Sequence, residues 1–220
     1  MKKNRIIARL DIKGPNVVKG VQFECLRVMG KPSDLAQDYY EQGADELIYL
    51  DTVASLYQRD NLFSIVKEAA ENIFIPFTAG GGVRTIEDIR SLLSVGADKV
   101  AINTAATLNP QIIAEAARLF GSQCIVVSIE GKRRDGNTWE AYTDNGRQRT
   151  GLDVVQWARQ IESLGAGEIL LTSVDYEGTK RGLDLELIRQ VSSVVSIPVI
   201  ASGGVGSIED VVNCFKTTEA

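Results

Sequence analysis

Short apolar runs alternate along this chain with longer stretches in which apolar residues return every third or fourth position. The runs Arg5–Leu10, Glu46–Asp51, Ile75–Ala79, Lys99–Ile102, Cys124–Ile129, Glu168–Thr172 and Val199–Ala201 predict strands. Pro32–Gln42, Asn61–Asn72, Ile86–Val95, Pro110–Leu119, Asp153–Leu164, Asp184–Val194 and Ile208–Phe215 predict the helices between them. Strands so continuously apolar suit burial on both faces, so the alternation predicts a parallel sheet under covering helices. Ser33-Asp34, Thr85 and Ser207 stand where helix N-caps belong, and Gly43, Gly96 and Gly165 where helices stop. Two connections are long, Lys13–Met29 and Gly131–Gly151. The second contains Asn145-Gly146, a hairpin signal.

The pattern also repeats. Ile75–Asp88 (IPFTAGGGVRTIED) returns 122 positions later as Ile197–Asp210 (IPVIASGGVGSIED), and GADE at Gly43–Glu46 returns at the same offset as GAGE at Gly165–Glu168. Duplication at half-domain length predicts two similar halves. The expected fold class is therefore α/β, a (β/α)8 barrel built from two similar half-barrels. No Pro- or Ser-rich linker divides residues 1–220, so a single barrel domain is expected. Seven strands and seven helices are predicted, and an eighth strand falls due at Thr217–Ala220. The expectation is a barrel that lacks its eighth βα unit and is C-terminally incomplete.

Composition narrows the chemistry. A net charge of −5 over 220 residues gives no basic footprint for nucleic acid. Lys132–Arg134, beside Asp135 and Glu140, reads as a solvated loop. Cys25, Cys124 and Cys214 form no CxxC pair, which suits a reducing compartment, with Cys124 a small core residue. No apolar run has the length of a signal peptide or a membrane span, so a cytoplasmic location is expected. The chain has no histidine. Histidine triads and His-ligated metal sites are excluded, and acid–base work falls to Asp, Glu, Lys, Tyr or Cys.

Three carboxylates, Asp11, Asp51 and Glu130, fall at predicted strand ends, which in a barrel feed the catalytic face. First and fifth strands lie on opposite walls of such a barrel, so Asp11 and Glu130 suit acid and base on opposite faces of a substrate. The plainer reading makes each a helix cap or an ion-pair partner. Gly81-Gly82 and Gly203-Gly204 each separate a strand from a helix beginning Thr/Ser-Ile-Glu-Asp, an arrangement that lets backbone N–H groups approach a phosphate. Asn103-Thr104 and Gly178-Thr179 follow other strands with further donors. Two related loops suggest a substrate with two phosphates; GGGVRT does not fit a dinucleotide fingerprint. Arg5, Ile7, Arg9 and Asp11 share one face of the first strand by period two. A buried Arg9 needs a partner, with Asp11, Asp51 and Glu130 as candidates. Otherwise the strand is rotated and Arg9 faces a helix.

The segments RIIARLDIKG, VVKGVQF, GADELIYLD, IPFTAGGGVRTIEDIRSLLSVGADKVAINTAA, FGSQCIVVSIE, WEAYTDNGRQRTGLD, GAGEILLTSVDYEGTKRGLDLEL and IPVIASGGVG together resemble the cyclase subunit of imidazole glycerol phosphate synthase, from histidine biosynthesis, over the whole length. The resemblance implies a carbon–nitrogen lyase without cofactor or metal. Its substrate is the bisphosphorylated phosphoribulosyl-formimino aminoimidazole carboxamide ribotide. It also implies a heterodimer with a glutaminase subunit, docked on the N-terminal face of the barrel, that supplies ammonia. Asp11 matches the family's catalytic Asp, Lys19 the lysine of its first loop, and Asp51 its acidic strand-two position. Gly82, Asn103 and Thr104 match one phosphate site; Gly178, Gly203 and Gly204 match part of the other. Arg5, Glu46, Lys99 and Glu168 match the ring that gates ammonia, and Asp98 a glutaminase contact. Three positions depart from the family: Glu130 stands for the second catalytic Asp, Arg9 for a Cys, and Glu177 for the Asp before Gly178. These departures leave a second reading, a paralogue that channels ammonia to another amidation such as that of a polysaccharide sugar. A third is a scaffold that only binds the glutaminase.

Overall fold

The computed structural model describes residues 4–52 and 61–220. Their contacts group them into two compact units: residues 4–19, 27–52 and 61–102 form one, and residues 20–26 and 103–220 the other.

In the first unit, β1 (Ile7–Lys13) pairs parallel with β4 (Glu46–Asp51), β4 with β5 (Phe77–Gly80), and β5 with β6 (Lys99–Ile102). The other edge of β1 runs antiparallel to β2 (Asn16–Val21), from Asp11 opposite Val18 to Lys13 opposite Asn16. A third strand, β3 (Glu24–Gly30), leads into α1 (Pro32–Glu41). α2 (Asn61–Asn72) and α3 (Ile86–Ser94) follow β4 and β5. Leu47, Ile48 and Tyr49 of β4 are buried, as a strand covered on both faces requires. Tyr49 packs edge-on against Phe77, with ring centroids 4.7 Å apart, and donates its hydroxyl to the Pro32 carbonyl at 2.9 Å.

The second unit starts with α4 (Thr104–Leu108), α5 (Gln111–Phe120) and a 3-10 turn, Ser122–Cys124. β7 (Ile125–Arg133) pairs parallel with β10 (Glu168–Ser173), and β10 with β11 (Val199–Ser202). β7 turns back into β8 (Trp139–Thr143) and β9 (Gln148–Asp153), an antiparallel excursion ahead of α6 (Val154–Ser163). α7 (Leu185–Ser192) and α8 (Ile208–Thr217) complete the described helices.

The repeat in the sequence is a repeat in structure. The offset of 122 carries Glu46–Asp51 onto Glu168–Ser173, Phe77–Gly80 onto Val199–Ser202, and Pro32–Glu41 onto Val154–Ser163. Leu47 pairs with Phe77 as Ile169 pairs with Val199. The leading strands correspond at 119 instead: Asp11 lies opposite Leu50, and Glu130 opposite Thr172. Asp11 and Glu130 thus hold the same register position, each in its own unit.

Several expectations shift. β1 begins at Ile7, not Arg5, and runs on to Lys13; β7 runs on to Arg133. Each leading strand gains residues because a hairpin partner pairs with its end. Asp11 and Glu130 therefore lie inside their strands, and only Asp51 ends one. The β2–β3 pair and α4 carried no periodicity long enough to be predicted. Ser33-Asp34 lies in the first turn of α1, whose N-cap is Lys31 with Pro32 next, a position where the missing N–H costs nothing. Thr85 and Ser207 cap as expected, and each closes a capping box with Asp88 or Asp210. Cys124 is only half-buried, whereas Cys214 is buried. Lys132–Arg134 is not a free loop: Lys132 and Arg133 belong to β7, Arg133 lies 4.6 Å over the Trp139 ring, and Arg134 pairs with Glu140. No helix of the described residues is long and apolar enough to cross a membrane.

Candidate active site

Within the first unit, the carboxylate of Asp11 is 4% exposed and meets two cations. Arg9 donates from Nε to Oδ1 at 2.9 Å, and Lys19 brings Nζ to 3.7 Å from Oδ2. Arg9 and Asp11 share one face of β1 because side chains alternate along a strand. Lys19 arrives from β2, the strand the sequence did not predict. Asp51 is buried at the end of β4. Gly81 and Gly82 follow β5 with φ of 95° and 71°. A Cβ on Gly81 would overlap the backbone of Asp51, so only glycine lets this loop pass so close to the strand-two carboxylate. At the start of the strands, Glu46 receives Arg5 Nη1 on Oε1 at 2.5 Å and Lys99 Nζ on Oε2 at 3.1 Å. Those three gate candidates form one ion cluster, centred on the buried Glu46 with both cations only partly covered. Asp98 accepts the Phe77 N–H at 2.8 Å and returns its own N–H to the Phe77 carbonyl at 2.9 Å. It borders an open groove of about 370 Å³ lined by Ile73, Phe74, Pro76 and Phe77.

The second unit builds the counterpart differently. Glu130, half-buried, accepts the N–H of Gly146 on Oε2 at 2.7 Å, so the Asn145-Gly146 turn touches the candidate carboxylate directly. Gly203 and Gly204 have φ of 96° and 101°, and a Cβ on Gly203 would overlap the Ser173 carbonyl. Ser173 stands 122 positions after Asp51, so both glycine loops press on the same point of their units. The Thr85 and Arg84 amides donate to Asp88 Oδ2 at 2.9 Å, as the Ser207 and Gly206 amides do to Asp210 Oδ2 at 2.9 Å. These donors are spoken for, so a phosphate would use the glycine backbone ahead of them. Gly178, φ 72°, lies against the Gly20 carbonyl at the β2–β3 tip, where the Gln22 N–H donates to the Glu177 carbonyl at 2.7 Å. Asn103 precedes α4 and donates to the Tyr142 carbonyl at 3.4 Å; the Thr104 carbonyl accepts Thr107 Oγ1 at 2.9 Å. Glu168 and Glu177 are buried.

Sequence reasoning missed two buried carboxylates in this unit. Glu140 gathers Arg149, Arg134 and the Gly151 amide, which outweigh the effect of burial and hold its carboxyl down at about 2. Asp184 accepts Trp139 Nε1 at 3.1 Å and the Leu187 N–H at 3.2 Å. The Asp184 bond to Leu187 is a local helix cap, but its bond to Trp139 spans 45 residues, and no short-range pattern announces that contact or the arginines on Glu140.

Parallel βα units in two similar halves, each with a buried leading strand carrying a carboxylate and a glycine loop ahead of a capped helix, define an α/β barrel enzyme class. The sequence matches the family model described as "Histidine biosynthesis protein" over residues 5–220, and the chain belongs to that family. It is 65% identical to imidazole glycerol phosphate synthase subunit HisF of Legionella pneumophila over 210 residues, covering 96% of this chain and 99% of that protein. It is 54% identical to the subunit of the same name from Hydrogenobaculum sp. (strain Y04AAS1) and 49% identical to that of Streptococcus sanguinis (strain SK36). Each of those two alignments covers 100% of this chain and 87% of the relative.

Proposed function

We propose that this chain is the cyclase subunit of imidazole glycerol phosphate synthase. The observation that carries the reading is its whole-length identity with subunits of that name, 65% in one case. The reaction takes ammonia and the phosphoribulosyl-formimino aminoimidazole carboxamide ribotide to imidazole glycerol phosphate and the aminoimidazole carboxamide ribotide. Nitrogen addition, ring closure and departure of the second product each need a proton moved, and no histidine is available to move it. Asp11 and Glu130 are the proton-transfer groups, supported by their identical register positions. Lys19 and Asp51 contact the substrate; Gly82, Asn103 and Thr104 hold one phosphate, and Gly178, Gly203 and Gly204 the other. The glycine loops suit this role because their φ values open backbone N–H groups that a side chain would cover.

A glutaminase subunit in the cytoplasm is the partner. Asp98 and the 77% exposed Phe74 beside it suit its docking, an acidic group on an apolar rim. Arg5, Glu46, Lys99 and Glu168 gate its ammonia; the Arg5–Glu46–Lys99 cluster supports that role, since a passage closed by ion pairs opens only when one of them moves. The polysaccharide alternative is not favoured, because the relatives carry the synthase name. The test supplies ammonium salts and the bisphosphorylated substrate to the purified protein. Imidazole glycerol phosphate must accumulate, and its absence from a folded sample rejects the reading.

A further inference from the structure

Arg9 departs from the resemblance noted above, and its geometry is unusual for a strand interior. A guanidinium 13% exposed is costly to bury without a counter-charge. Here the counter-charge is two residues away on the same face, and the contact is short: Nε to Oδ1 of Asp11, 2.9 Å. The other cation at Asp11 is a poorer holder. Lys19 Nζ stands 3.7 Å from Oδ2, beyond a good hydrogen bond, on a side chain 44% exposed. A carboxylate turns freely about its last torsion, which is broad and roughly two-fold, unless a directional partner stops it. A charge-assisted hydrogen bond at this distance is such a partner.

The other half shows that this is not a property of the fold. The residue two before Glu130 at the equivalent position is Ser128, and Glu130 accepts a backbone amide, that of Gly146, at 2.7 Å. The arginine two residues ahead of the carboxylate on the same strand face thus belongs to β1 and has no counterpart in the sequence of β7.

We propose that Arg9 is a positioning residue for the reaction: it fixes the Asp11 carboxylate in its working orientation and does not itself touch the reacting atoms. The inference rests on the functional reading above, in which Asp11 moves a proton. Freed of Arg9, the carboxylate rotates and Lys19 alone is too distant to hold it. Misplacement on that scale costs about a hundredfold in rate, while ground-state binding through the phosphates is untouched.

The experiment measures ammonia-dependent turnover of the full chain and of Asp11→Asn, Arg9→Lys, Arg9→Gln and Arg9→Met, with circular dichroism on each. Arg9→Met keeps the length of the side chain and removes its charge and N–H groups. It should lose about 10–100-fold in kcat with KM within about twofold. Arg9→Lys should recover most of the loss, and Arg9→Gln should fall between them. Should Arg9→Met not fold, the order of Arg, Lys and Gln decides. The proposal is overturned if Asp11→Asn abolishes turnover while a folded Arg9→Met or Arg9→Gln keeps the kcat of the unsubstituted chain. It is equally overturned if the loss appears in KM alone. No product from the unsubstituted chain is a separate outcome, which rejects the functional reading and this one with it.

Discussion

Glu140→Gln asks whether charge or shape holds the β8–β9 hairpin, which supplies the turn that touches Glu130. The residue is 1% exposed. Its Oε2 accepts Arg149 Nη2 at 2.8 Å and Arg134 Nε at 2.9 Å, while Oε1 accepts the Gly151 N–H at 2.8 Å. The Arg149 hydrogen bond is the largest influence, joined by those of Arg134 and Gly151 against the opposing effect of burial, and the carboxyl falls from 4.5 to about 2. The folded value lies below the unfolded one. The stabilisation is therefore complete above about pH 4.5 and is lost as the pH falls towards 2. A drop of this size corresponds to about 3 kcal/mol at 1.36 kcal/mol per unit. Arg149 is 70% and Arg134 37% exposed, and solvent screening of such partners reduces the contribution to about 2 kcal/mol. For a chain of this size that is roughly 4–8 °C in Tm. Thermal unfolding of the Glu140→Gln variant near neutral pH should show that deficit, and the gap to the unsubstituted chain should shrink as the pH is lowered past 4.5. An equal gap at both ends of the range would refute the electrostatic account, leaving packing as the cause.

Other substitutions address the site. Asp11→Asn should abolish product formation while calorimetric binding of the bisphosphorylated substrate stays nearly unchanged; retained turnover counts against its role. Arg5→Ala releases one of the two cations on Glu46, so it should alter glutamine-dependent turnover in the complex more than ammonia-dependent turnover, and equal effects contradict a gate. Gly81→Ala and Gly203→Ala place a Cβ against the Asp51 and Ser173 backbones at φ of 95° and 96°. Each should cost about 1–3 kcal/mol in denaturant unfolding and weaken phosphate binding, and a neutral result would show that the loops are not held so closely.

The sequence by itself determined the βα alternation, the two halves and the glycine loops. All three are written locally: strand and helix periods, a duplicated segment, and backbone conformations that glycine alone adopts without strain. The capping residues Thr85 and Ser207 were legible for the same reason, because a cap bonds to an amide three residues on. Asp11 and Glu130 were legible as an acid–base pair from the strand order but not as equivalents in the repeat, since their separation of 119 departs from the repeat of 122. Only strand register showed them to be equivalent, because unequal loops shift the count along the chain without shifting the ladder. The tertiary structure also decided that Arg9 bonds Asp11, how β1 and β7 extend through hairpin partners, and that Glu130 reaches Gly146. These are choices among partners brought close by folding. Long side chains and turn amides have several candidates within reach in the sequence, and only distance and direction in the packed chain select one.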